Sequence, residues 1–185
     1  MAVVINGTSG ISYPITAGGT STTQAASSKV LQVVSTILPT TFSMSGASFV
    51  TITGLTAAIT PIATTSKILI KVSLGRVAPN IATGQTVAFR LLRDSTAIGV
   101  GTPSGSQLAT SFVISSATNG NYSAGGFTFE YLDSPSSISA ITYGIQMLGE
   151  SSVTAYINRS YVGGTGSTTY ESASASTITV MEIAA

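Results

Sequence analysis

The chain has 185 residues, only 7% of them charged, a formal net charge of +1, and neither cysteine nor histidine. A chain of this length can bury a core as one domain. Its composition excludes disulfides, thiolate sites and a Ser-His-Asp triad, and its seven Lys and Arg are too scattered to form the basic stripe that binds phosphates.

A typical soluble domain is about 25% charged, and the mean hydropathy here is high at +0.46. Ser, Thr and Gly interrupt every apolar run well before the ~20 residues needed to cross a bilayer. The sequence therefore points to neither nucleic acid nor membrane insertion. A surface so poor in charge exposes hydroxyls, methyls and apolar patches, and such surfaces associate. A homo-oligomer is expected, a homotrimer being the working hypothesis. The alternative is a monomer kept soluble by its Ser and Thr hydroxyls.

Residues 1–28 differ from the rest. Val3, Val4 and Ile5 favour one short strand, Asn6-Gly7 is a tight-turn dipeptide, and Ile11 and Tyr13 follow before a Gly/Ser/Thr-rich linker. This part cannot bury a core alone. It reads as a docking arm (Val3, Val4, Ile5, Asn6, Gly7, Ile11 and Tyr13) or as a disordered tail. No basic region and no cleavable apolar core precede Asn6, so no secretory signal is read here.

Residues 29–185 read as one β-domain. Strands are expected over 29–37, 49–53 with 55–59, 67–74, 107–115, 153–157 and 176–183, separated by Pro, Gly and Asn-Gly punctuation. In 67–74, Ile68, Ile70, Val72 and Leu74 share one face. Two hairpins are expected in the centre. In the first, Val87, Phe89 and Leu91 turn through Asp94 and return as 97–100. In the second, Phe127, Phe129 and Tyr131 turn through Asp133 and return with Ile141, Tyr143, Ile145 and Met147 on one face. About ten short strands without helical periodicity imply an all-β antiparallel sandwich, jelly-roll-like, with an extended N-terminal arm. The last strand, placed inside a sheet, would tie the C-terminus down.

Carboxylates are the only common acid–base groups left. Asp94 and Asp133 read as turn residues, and Glu130 invites a cross-strand pair with Arg90. No pair has the setting of a glycosidase site, no Asp-x-Asp spacing supports calcium, and the loop 163–167 is glycine-rich without the lysine of a phosphate loop. No catalytic residue, metal site or cofactor is expected. Tyr156, Asn158, Arg159 and Tyr161 cluster late in the chain and suit a ligand-facing surface, with glycan as a fitting ligand. Their alternative role is strand-end tyrosines with an arginine packed on one of them.

Several motifs follow one another along the chain: Ile5-Asn6-Gly7-Thr8-Ser9-Gly10-Ile11, Phe49-Val50-Thr51-Ile52-Thr53-Gly54-Leu55, Leu91-Leu92-Arg93-Asp94-Ser95-Thr96, Tyr156-Ile157-Asn158-Arg159-Ser160, and the closing run 176–183. Through them the chain resembles small structural proteins of tailed bacteriophages, of the marine and cyanobacterial type, often tail-fibre or other virion components. The resemblance implies a non-enzymatic virion protein, made in the host cytoplasm and displayed on the particle surface. Implied partners are copies of itself and a tail-fibre adaptor or the major capsid protein, with a host surface glycan beyond. It implies a fibre-type, host-attachment module or, alternatively, a capsid decoration (cement) protein that stabilises the head shell.

Overall fold

The computed structural model describes residues 4–6, 10–12, 29–79, 86–115, 125–149, 154–161 and 171–185. Within the expected arm, β1 (Val4–Asn6) and β2 (Gly10–Ser12) pair antiparallel, with Ile5 opposite Ile11. Val3, Gly7 and Tyr13 lie outside the described residues.

The other strands form two antiparallel sheets. They are β3 (Val30–Leu38), β4 (Phe42–Ser45), β5 (Val50–Ile59), β6 (Lys67–Ala78), β7 (Thr86–Arg93), β8 (Thr96–Ile98), β9 (Phe112–Ser115), β10 (Gly125–Asp133), β11 (Ile141–Gly149), β12 (Thr154–Ile157) and β13 (Ser176–Ile183). β6 organises the first sheet. One of its edges pairs with β10 from Ile68 to Val77. The other pairs with β13 along Lys67–Ser73 and with β12 at Val77 and Ala78. β3 lies outside β13, and β4 outside β12. In the second sheet β11 lies between β5 and β7, and β8 and β9 share the far edge of β7.

Set in chain order, the eight principal strands are β3, β5, β6, β7, β9, β10, β11 and β13. One sheet then runs first-eighth-third-sixth and the other second-seventh-fourth-fifth. That is the double Greek key of a jelly roll. The last strand is interior, between β3 and β6, and this ties the C-terminus down.

Alternation explains the core. Ile68, Ile70, Val72 and Leu74 of β6 are at most 1% exposed, and Val87, Phe89 and Leu91 of β7 are fully buried. Ile141, Tyr143, Ile145 and Met147 of β11, beside β7 in the second sheet, are buried as well. On the open side of the sandwich, the stacked rings of Phe89, Phe112 and Phe127, with centroids 4.5 and 4.3 Å apart, bridge the sheets.

The first central hairpin forms as expected, with Arg93 opposite Thr96. The second does not. β10 pairs with β6, whereas β11 pairs with β5 and β7, so the connection 134–140 crosses from one sheet to the other. Alternation fixes which face a strand buries but not which strand lies beside it. The strand expected over 107–115 is shortened to Phe112–Ser115, and β4 is an unexpected strand.

Candidate functional site

Strand register separates two ends of the sandwich. Leu38 lies opposite Ser176, Tyr156 opposite Ala78, Gly125 opposite Val77, and Thr86 opposite Ser115. The connections 39–49, 79–85, 116–124 and 150–175 therefore meet the sheets at one end. At the other end Ile183 lies opposite both Lys67 and Val30. Connections 60–66, 94–111 and 134–140 join there, as does the start of β3.

Tyr156, Arg159 and Tyr161 come together at the first end. The Arg159 guanidinium lies 4.4 Å from the centre of the Tyr156 ring, and the Tyr161 ring meets Tyr156 edge-on at 5.7 Å. Arg159 also donates to the Ser160 and Tyr161 carbonyls, both at 2.9 Å. The cluster is half-buried and holds its own shape.

Asn158 does not share this surface. It is 1% exposed, and its backbone adopts a left-handed φ of 68°, which Asn tolerates better than most residues. Its side-chain amide donates to the Leu38 and Thr40 carbonyls, and its carbonyl oxygen accepts from the Ser176 hydroxyl at 2.7 Å. Asn158 fastens β12 to β3 and β13, and no hydrogen-bonding capacity is turned outward. It is corrected from a ligand-facing to a structural residue.

The carboxylates are used structurally. Asp94, at φ 54°, accepts from the Thr142 N–H at 2.9 Å and tightens the β7–β8 turn against β11. Asp133 is 5% exposed and more than a turn residue. It takes both oxygens to Arg93 at 3.1 Å and accepts from the Tyr143 hydroxyl at 2.8 Å, tying the two sheets together. Burial, and then the Asp133 carboxylate, push the Tyr143 hydroxyl far above the ordinary tyrosine range. Glu130 pairs with Lys71 at 2.7 Å, not with Arg90 as expected. Lys71 lies directly opposite Glu130 in the register, whereas Arg90 belongs to the other sheet and stacks on Phe49 at 3.7 Å.

Glu182 is fully buried on β13. Burial alone would push its carboxyl up. Hydrogen bonds from Ser66, Gln32 and the Ile62 and Ala63 backbone outweigh that and hold it below the usual carboxylate range. The Gln32 amide at 2.6 Å and the Ile62 N–H at 2.8 Å make Glu182 the clasp between β3, β13 and the connection 60–66. The alternating pattern of 176–183 placed this residue inside a strand without marking it as buried. Among the described residues no three acidic side chains gather as metal ligands would.

Apolar side chains also remain on the surface. On the outer face of the first sheet, register aligns Val33, Met181, Leu69 and Leu132 in one row across β3, β13, β6 and β10. Val33 and Leu132 are 56% and 49% exposed. The next row is Ser35, Thr179, Lys71 and Glu130. The face thus carries this ion pair and the exposed Lys67 beside an apolar stripe.

No family model and no curated protein matches the chain. Among solved structures, it is similar to a chain of T=1 particles derived from infectious bursal virus, at 14% identity and a TM-score of 0.41, over 98% of this chain and 44% of that one. A T=13 particle of infectious bursal disease virus matches at 13% identity and 0.36, over 83% and 39%. The Gx strain of that virus matches at 14% and 0.36, over 93% and 47%. The chain spans less than half the length of each of these. Similarity this low carries no functional information. The architecture rests on the strand order of the chain itself.

Proposed function

We propose that this chain is a non-catalytic structural subunit of a bacteriophage particle, displayed on its surface as a trimeric attachment module. The observation that carries the reading is the apolar row Val33–Met181–Leu69–Leu132 on an outer sheet face. Around it the outward positions of β6 are polar (Lys67, Lys71 and Ser73), as on a sheet face in contact with water, and the apolar row interrupts them. Exposed apolar rows are instead the mark of a surface that contacts protein. The carboxylates Asp94, Glu130, Asp133 and Glu182 meanwhile serve turns, an ion pair and clasps, which suits a building block.

The two ends suit a division of labour. Residues 1–28 join the domain at Lys29, at the end opposite Tyr156, Arg159 and Tyr161. The arm, with Val3, Val4, Ile5, Asn6, Gly7, Ile11 and Tyr13, would grip a neighbouring particle subunit. The aromatic cluster would face the host, where a glycan ring would stack on Tyr156 or Tyr161 beside Arg159. The resemblance to phage structural proteins supports the virion assignment.

The second reading is a decoration protein lying flat on the head shell, and the breadth of the same apolar face favours it. Copies per particle, read from quantitative gels of purified virions, separate the two. A fibre-type module is expected at a small fraction of the major capsid protein, a decoration protein at a comparable number. Absence of the chain from purified virions would remove both. For the attachment reading, Arg159→Ala with Tyr161→Ala is expected to slow adsorption to host cells without changing particle yield. Unchanged adsorption would remove the host-facing role.

A further inference from the structure

The edges of the first sheet differ. β3 lies along one and packs across the sandwich towards β5. β10 lies along the other and pairs with β6 alone. No backbone hydrogen bond links it to β8 or β9 among the described residues. Between β10 and β8 the sheets part, leaving a groove of about 750 Å³ lined by residues 97–101 on one wall and 129–134 on the other. The two walls meet where Gly99, at φ 58°, packs against the Tyr131 ring, which an added Cβ would approach to 2.8 Å. An edge strand in an antiparallel sheet turns the N–H and C=O of alternate residues outward. Such an edge accepts an added strand.

We propose that the β8–β10 groove receives the N-terminal strand of a second copy of this chain. Three observations select that occupant. β1 and β2 are three residues each and pair with one another, and an isolated two-stranded ribbon is at best marginally stable. β1 carries Val4 and Ile5, the β-branched residues that a sheet edge favours. The arm also joins the domain at the end where the groove lies, since Val30 and Asp133 lie opposite the neighbouring positions Ile183 and Ile68.

A neighbour's groove lies nearer the root of the arm than the chain's own. The arm leaves from β3, and β10 is the far edge of the same sheet, about 14 Å away at ~4.8 Å per strand. When copies stand side by side, the β3 edge of one faces the β10 edge of the next about two strand spacings away, which leaves room for one added strand between them. Such head-to-tail contacts close into rings. The apolar row begins at Val33 on β3 and ends at Leu132 on β10, so adjacent copies would continue it. The proposal rests on reading residues 1–28 as a docking arm, and it names a copy of this chain as the subunit gripped.

The chain has no cysteine, so introduced thiols report cleanly. Ile5→Cys and Ser134→Cys would be made singly and together in the full chain, then treated with a short bifunctional maleimide. Ser134 is exposed at the groove, and Leu132→Cys supplies a second groove position. The expected result is cross-linked species of two and three chains from the double variant, and two-chain species when the single variants are co-expressed. Deleting residues 1–24 is expected to lower the mass of the native assembly. Links confined to single chains would overturn the proposal. So would absence of links together with an unchanged mass after the deletion. In that last case the truncated chain's incorporation into particles tells the failures apart: if it is lost from virions, the arm docks elsewhere and only the groove is wrong; if it is retained, the docking arm itself is wrong.

Discussion

The two faces of the β10–β6–β13–β3 sheet are built from the same strands and do different work. Inward, Ile68, Ile70, Val72, Ile178 and Val180 are fully buried against the second sheet. Outward, Val33, Met181, Leu69 and Leu132 are nearly as apolar but remain partly or largely open. Burial gives the inner set its free energy within one chain. The outer set gains nothing comparable until another molecule covers it. On the proposed reading the inner face serves folding and the outer face assembly, a distinction that hydrophobicity alone would not draw.

Substitutions should separate the two. Ile70→Ala, in the buried centre of β6, is expected to cost about 4 kcal/mol through lost burial and a cavity. Denaturant unfolding would read this as a lower midpoint with an unchanged slope. Glu182→Ala should cost about 2 kcal/mol, because it strands the Gln32 amide and the Ile62 N–H without an acceptor.

The charge of Glu182 also predicts a pH dependence. Its folded pKa lies below its ordinary value of 4.5. The unfolded chain therefore binds a proton first as pH falls. The stability it contributes is full above about 4.5 and is lost as pH drops through the folded value. Glu182→Gln should flatten that part of the stability profile, and an equally steep acid limb in the variant would contradict the clasp.

Tyr143→Phe should cost about 1 kcal/mol by removing the hydroxyl from Asp133, whose pairing with Arg93 remains. Smallest in stability is the outward pair. Val33→Ser with Leu132→Ser should shift unfolding by under ~0.5 kcal/mol for each site in the isolated domain. The same pair should nevertheless weaken association, read as a rise in the concentration at which the assembly dissociates. A large stability loss without any effect on association would erase the contrast between the faces.

Much of the fold was legible because its strands are strongly patterned. The run 67–74 sorted its inward and outward residues correctly, and 176–183 matched β13. Partner choice was not legible. Phe127–Tyr131 and Ile141–Met147 looked like one hairpin because a turn-rich segment separates two alternating runs. In three dimensions each run completes a different sheet. β4 was missed because Phe42-Ser43-Met44-Ser45 is short and lies among Ser, Thr and Gly.

At the candidate site, the clustering of Tyr156, Arg159 and Tyr161 followed from their closeness in sequence. The burial of Asn158 did not. Its one signal was an Asn directly after the strand residue Ile157, where a left-handed turn is common. Glu182 and Asp133 gave no such signal, because their partners come from distant connections, Ile62 and Arg93.

The most direct measurement is the molar mass of the purified full-length chain in solution, by light scattering after gel filtration across a dilution series. Outer sheet surface closed by further copies predicts a discrete assembly near three times the chain mass of 18.6 kDa. A stable 18.6 kDa species at every concentration would contradict it.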